Sequence, residues 1–128
     1  MTRINVVPVD ELCDQHLFAE FREMTRIPNG IASGKMKTEY RDAPLKYTLG
    51  TGHVKFFVDK LKFLKDRYDL LFQELKKRGY NVTYIWPDDL PKYAIHGDYI
   101  PTPEALAINR ERIQERMPER ARWSSIDN

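Results

Sequence analysis

The sequence predicts a single all-α domain, residues 1–128, of three main helices with long irregular connections. Three observations carry that reading. Apolar side chains recur at helical spacing in the opening segment and again over residues 53–78. Thr102-Pro103 has the form of a helix start, and no stretch reads as a convincing sheet. The length suits one hydrophobic core, and 41% apolar content supports folding around it.

Taken in order, Ile4-Asn5-Val6-Val7-Pro8-Val9 reads as an extended arm, because Pro8 opposes a continuous helix. Asp10 is the expected N-cap of a first helix running to about Arg26. At about 100° per residue, Cys13, Leu17, Phe18, Phe21 and Met24 share one side. Gln15, His16, Arg22, Glu23 and Arg26 gather on another, a stripe that suits either a solvated face or a site. Asp14 fits the apolar side poorly and is expected at the frayed start. Cys13 is the lone cysteine, so no intramolecular disulfide forms, and a buried structural thiol is expected. Pro28-Asn29-Gly30 is expected to end this helix.

Residues 34–52 read as a long irregular connection in which Lys35, Lys37, Arg41 and Lys46 alternate with Tyr40 and Tyr47. A segment tracking a phosphate backbone and a mobile surface loop both fit that composition. The second helix is expected from about His53 to Arg78, with Val54, Phe57, Val58, Leu61, Leu64, Tyr68, Leu71 and Leu75 on its core side. Lys and Arg fill much of the opposite side, and Gly79 supplies the stop. Residues 80–101 are irregular, with turns at Pro87, Pro91 and Gly97. A third helix starts after the N-cap Thr102, with Pro103 at a permitted first position. It packs through Leu106, Ile113 and Met117, presents Arg110, Arg112 and Arg116 along polar faces, and ends at Pro118.

Several function classes fall away. No apolar run approaches the ~20 residues of a membrane span, and the N-terminus lacks the pattern of a secretory signal. A cytoplasmic protein without a membrane partner is expected. His16, His53 and His96 are scattered, which predicts no metal, and there is no Walker loop or serine elbow. A net charge of +2 decides little, but Arg110, Arg112, Arg116, Arg120 and Arg122 crowd the C-terminal end, as on a local nucleic-acid surface.

The remaining constellation is Thr2 and Glu23 among Arg3, His16, Arg22 and Arg26. Removal of Met1 before a small residue leaves Thr2 with a free α-amino group of pKa near ~8. An appreciable fraction is then unprotonated and nucleophilic at neutral pH. Such an amine can attack a deoxyribose anomeric carbon, with Glu23 stabilising positive charge and later assisting proton transfer. Arginines would hold phosphates and disfavour protonation of the amine, while Glu23 pulls its pKa the other way.

At these residues the chain resembles the pyrimidine-dimer DNA glycosylase/AP lyase family of the T-even phage endonuclease V type. The resemblance rests on Met1-Thr2-Arg3-Ile4-Asn5, on Asp14-Gln15-His16-Leu17 through Glu20-Phe21-Arg22-Glu23, and on Arg26. Leu49-Gly50-Thr51-Gly52-His53-Val54, Lys77-Arg78-Gly79 and Gly97-Asp98-Tyr99-Ile100-Pro101 follow in order. It implies an all-α fold, no metal or organic cofactor, and a monomer acting on damaged double-stranded DNA. It also implies excision of one base of an ultraviolet-induced cyclobutane pyrimidine dimer, then strand cleavage by β-elimination. Thr2 matches the nucleophile and Glu23 the essential carboxylate; Arg3, Gln15, His16, Arg22 and Arg26 match the DNA-binding face. Arg112 and Arg116 fall at its phosphate contacts. The sequence departs in the residues after Trp123, which lack the family's aromatic tail, and in the connection from Arg26 to Gly50. A glycosylase for another damaged base, such as a ring-opened purine, is the rival enzyme. A non-catalytic helical DNA-binding module and a protein-interaction domain are the rivals from other classes.

Overall fold

The structure, a computed structural model, describes residues 4–125. Among them the regular elements are all helical: α1 (Asp14–Met24), α2 (Arg26–Ala32), α3 (His53–Phe57), α4 (Leu61–Lys77) and α5 (Pro103–Glu115), with 3-10 turns at Val9–Glu11 and Lys92–Ala94. The all-α expectation holds, but the three main helices become five. No helix among the described residues is long and apolar enough to cross a membrane.

The first expected helix starts late and ends at Met24, and a second helix, α2, follows at once. Cys13, extended at φ −68° and ψ 163°, is the N-cap, and Asp10 lies in the 3-10 turn instead. Leu12 and Cys13 are both fully buried here, so the backbone that carries the arm into α1 is part of the core. At the other end, Pro28-Asn29-Gly30 lies inside α2. Pro28 has no N–H for the Met24 carbonyl, which separates α1 from α2. It is tolerated because it occupies the first turn of α2, where amides lack helical partners.

The second expected helix is two. Between α3 and α4 the chain breaks at residues 58–60, and the 97 turn docks into the break. Phe63 N–H donates to the Gly97 carbonyl at 3.2 Å. Gly97 has φ +95°, and a Cβ there would overlap the Asp59 carbonyl oxygen, so only glycine permits the approach. Lys60 Nζ donates to the freed Phe56 carbonyl at 2.7 Å. Periodicity ran through the break because Phe57, Leu61 and Leu64 stay buried on both sides of it.

The third helix forms as expected, with Thr102 Oγ1 accepting from the Ala105 N–H at 3.1 Å. Its fully buried residues are Ala105 and Asn109, while Leu106 and Ile113 are only partly covered. The main packing is α1 on α4, where Phe21 stacks on Tyr68 at 4.8 Å and 10°. Each fully buried side chain of the size of Leu17 or Leu71 contributes about 1.5–3 kcal/mol. Arg67 of α4 and Arg78 just after it do not face water: both are buried, each against a carboxylate of α1.

Candidate active site

The site is built on the arm. Ile4 N–H donates to His53 Nε2 at 2.8 Å, and His53 Nδ1 lies 2.7 Å from the Thr48 carbonyl. Nε2 must accept and Nδ1 must donate, so the ring is neutral with its proton on Nδ1. Tyr47 Oη donates to the Ile4 carbonyl at 3.2 Å. Farther along, the amides of Val6 and Val7 both donate to Asn109 Oδ1, at 2.7 and 3.2 Å. Asn109 Nδ2 donates to Asn5 Oδ1 at 2.8 Å, and Asn5 Nδ2 donates to Glu20 Oε1 at 2.9 Å. Glu20 also accepts from Arg67 Nε and, at 3.0 Å, from Nη2, while Arg67 Nη1 reaches the Val7 carbonyl at 2.8 Å. Strand-like backbone without a sheet partner is thus satisfied by side chains, as buried amides require. Two buried charges are tolerable because each is fully hydrogen-bonded by the other and by its neighbours.

Beside the arm lies a cavity of about 250 Å³. His16, Ala19, Glu20 and Glu23 form one wall, at the spacing of successive turns of α1; Asn5 contributes from the arm. Arg112, Ile113 and Arg116 close it from α5 and the residue after it. This volume is at the low end for ligand pockets, the class of one sugar or one base. The two carboxylates differ in kind. Glu20 is 2% exposed and committed to Arg67 and Asn5. The Glu23 side chain is 43% exposed at the cavity, with Arg26 Nη1 3.8 Å from its Oε2.

Of the expected site residues, His16, Glu23, Arg112 and Arg116 meet at this cavity. Thr2 and Arg3 lie outside the described residues. Arg22 is exposed, with its guanidinium 6.0 Å from the centre of the Phe18 ring. Gln15 is engaged elsewhere: its Nε2 donates to the Arg120 carbonyl at 2.7 Å and its Oε1 accepts from Arg122 N–H at 3.2 Å. His16 Nε2 donates to the Arg116 carbonyl at 3.1 Å, and its Nδ1 is buried with no hydrogen-bond partner. Arg112 has Glu115 at 3.5 Å. Reading the chain alone did not single out Asn5, Glu20, Arg67 or Asn109 as parts of one network. The usable signal was a polar residue on an apolar face, as Glu20 is at three residues from Leu17 and Asn109 at four from Ala105. Among the described residues, no group of His, Cys, Asp or Glu is placed to hold a metal ion.

Asp14 overturns the expectation of a frayed start. It is 1% exposed and gathers Arg78 Nη1 at 2.9 Å, Tyr80 Oη at 2.7 Å, the Ser124 N–H at 3.1 Å and the Ser124 hydroxyl. Its own N–H donates to the Arg122 carbonyl at 2.6 Å, so the C-terminal segment is sewn to the start of α1. Burial pushes the carboxyl upward, but the donors from Ser124, Tyr80 and Arg78 outweigh it and hold the pKa at about 2, against an ordinary 3.8. A depressed pKa gives stability that is present above the ordinary value and lost as pH falls toward about 2. That loss is about 2 kcal/mol. Urea unfolding followed by Trp fluorescence should therefore show wild type losing that much more stability than Asp14→Asn between about pH 5 and pH 2. Parallel losses would remove Asp14 from the account.

A family model described as pyrimidine dimer DNA glycosylase matches residues 1–88. The matched stretch holds the arm, α1 to α4 and Glu23, and stops short of α5.

Proposed function

The chain belongs to the pyrimidine dimer DNA glycosylase family, and from that premise we propose that it excises one base of a cyclobutane pyrimidine dimer in duplex DNA through its terminal amine and then cleaves the strand. The observation that carries the reading is the arm held against the α1 wall, with Asn5 and Glu23 on one cavity. Only Arg3 separates Thr2 from Ile4, a reach of no more than about 7 Å. In this reading the Thr2 amine acts beside Glu23, whose side chain is 43% exposed at the cavity.

In the proposed sequence the amine of Thr2 attacks the anomeric carbon of the damaged nucleotide. The new C–N bond forms as the glycosidic bond breaks, and the departing base takes up a proton. Ring opening gives the imine. Loss of a proton from the adjacent sugar carbon then expels the 3′ phosphate, and water releases the enzyme. Glu23 stabilises the positive charge that develops at the sugar and afterwards moves the sugar-carbon proton. Arg112 and Arg116, at the opposite wall, hold phosphates beside it. Arg3, Arg22 and Arg26 supply further contacts to the DNA in this reading, and no cofactor takes part.

The test is borohydride reduction of the full chain on a duplex with one pyrimidine dimer, beside an abasic duplex. The expected result is a covalent complex on both, with the adduct mapped to Thr2. Trapping on the abasic duplex alone would keep the lyase chemistry and move base specificity to another lesion, such as a ring-opened purine. Trapping on neither would leave a DNA-binding module.

A further inference from the structure

We propose that Asn109 and His53 are positioning residues for the terminal nucleophile, acting by clamping the backbone of residues 4–7 from two sides. The inference rests on the amine chemistry proposed above and adds the parts that aim it. Asn109 is completely buried on α5, beyond the stretch shared with the family model. Its side chain takes two successive arm amides and, through Asn5, also sets an atom of the cavity wall.

Its orientation leaves no choice. Asn109 Oδ1 is used up by the Val6 and Val7 amides, so its Nδ2 must face Asn5 Oδ1. Asn5 must then present Nδ2 to the Glu20 carboxylate, which only accepts. A chain of fixed donors and acceptors thereby links α5 to the arm and the arm to α1, one turn from Glu23. His53 fixes the other end, since the Ile4 N–H it accepts is the first amide after Arg3. The Thr48 carbonyl holds its proton on Nδ1, which keeps Nε2 free to accept.

Geometry of this kind governs rate more than affinity. A displacement of about 1 Å at a reacting atom costs on the order of a hundredfold in rate, whereas phosphate contacts to the rim arginines are unaffected. The prediction is a split between turnover and binding.

The experiment compares wild type, Asn109→Ala and His53→Gln as full chains with Met1 removed. It measures the single-turnover borohydride-trapping rate on saturating abasic duplex, and the Kd for a duplex carrying a reduced abasic site by fluorescence anisotropy. Asn109→Ala should trap about 30-fold more slowly, with Kd within about threefold of wild type. His53→Gln should trap about tenfold more slowly with the same Kd. A core variant remote from the arm, Leu75→Ala, calibrates lost stability and should trap at the wild-type rate wherever it is folded. Should Asn109→Ala fail to fold, His53→Gln, which removes the imidazole that accepts the Ile4 N–H, decides the outcome. Folded variants that trap at the wild-type rate, or whose affinity falls in step with the rate, would overturn the positioning role. Wild type that traps nothing, or through a residue other than Thr2, would instead overturn the chemistry on which the role rests.

Discussion

Glu23→Gln leaves duplex binding within a few-fold of wild type and lowers turnover on a dimer-containing duplex by about a thousandfold. The substitution keeps shape and hydrogen-bonding reach, but removes the negative charge and the base. Glu20 cannot stand in for it, because its oxygens are held by Arg67 and Asn5 beneath the surface. Nor should the fold suffer, since the Glu23 side chain is 43% exposed and an isosteric amide keeps its shape. Single-turnover cleavage of an end-labelled duplex, beside anisotropy on the same duplex, separates the two quantities. Full activity in the variant would remove Glu23 from the chemistry.

Adding one unprocessed residue before Thr2, or acetylating its amine, should bring imine trapping below detection on both dimer and abasic duplexes. Acetylation converts a nucleophile into an amide, and the added residue moves the amine by about 3.5 Å. Among the described residues no lysine lines the cavity that could take over the attack. Circular dichroism and salt-dependent DNA binding should stay as in wild type, since neither change touches the core or the arginine rim. A trapped complex of undiminished yield, mapped to a lysine peptide, would reassign the nucleophile.

The fold class was legible because α1, α4 and α5 each announce themselves locally, by apolar spacing or by the Thr102 cap. What escaped was long-range. Nothing near residue 59 in the sequence signals that Gly97 will press into the backbone there and divide one expected helix into α3 and α4. Asp14 looked misplaced because its partners, Arg78, Tyr80 and Ser124, lie 64, 66 and 110 residues away. The site divides in the same way. His16, Glu23, Arg112 and Arg116 could be chosen by residue type and position, and they meet at the cavity. Gln15 was chosen as a DNA contact, and in the free protein its amide holds the backbone of residues 120 and 122. Asn5 and Asn109 passed as ordinary polar residues, because what gives them a role is each other.

The stitching of residues 116–124 onto α1, together with the Asn109 clamp, sets the order of assembly during synthesis. The arm leaves the ribosome first, yet the amides of Val6 and Val7 wait for Asn109, and Asp14 and Gln15 wait for residues 120 to 124. Loops this long close only after the intervening chain exists, so the local α4 can form early while the catalytic wall cannot. A nascent chain halted before residue 109 carries Asn5 and Glu20 without the Asn109 contacts that tie the arm to α5. The Asn109 clamp and the contacts of residues 120 to 124 with α1 therefore form only once those residues have been made.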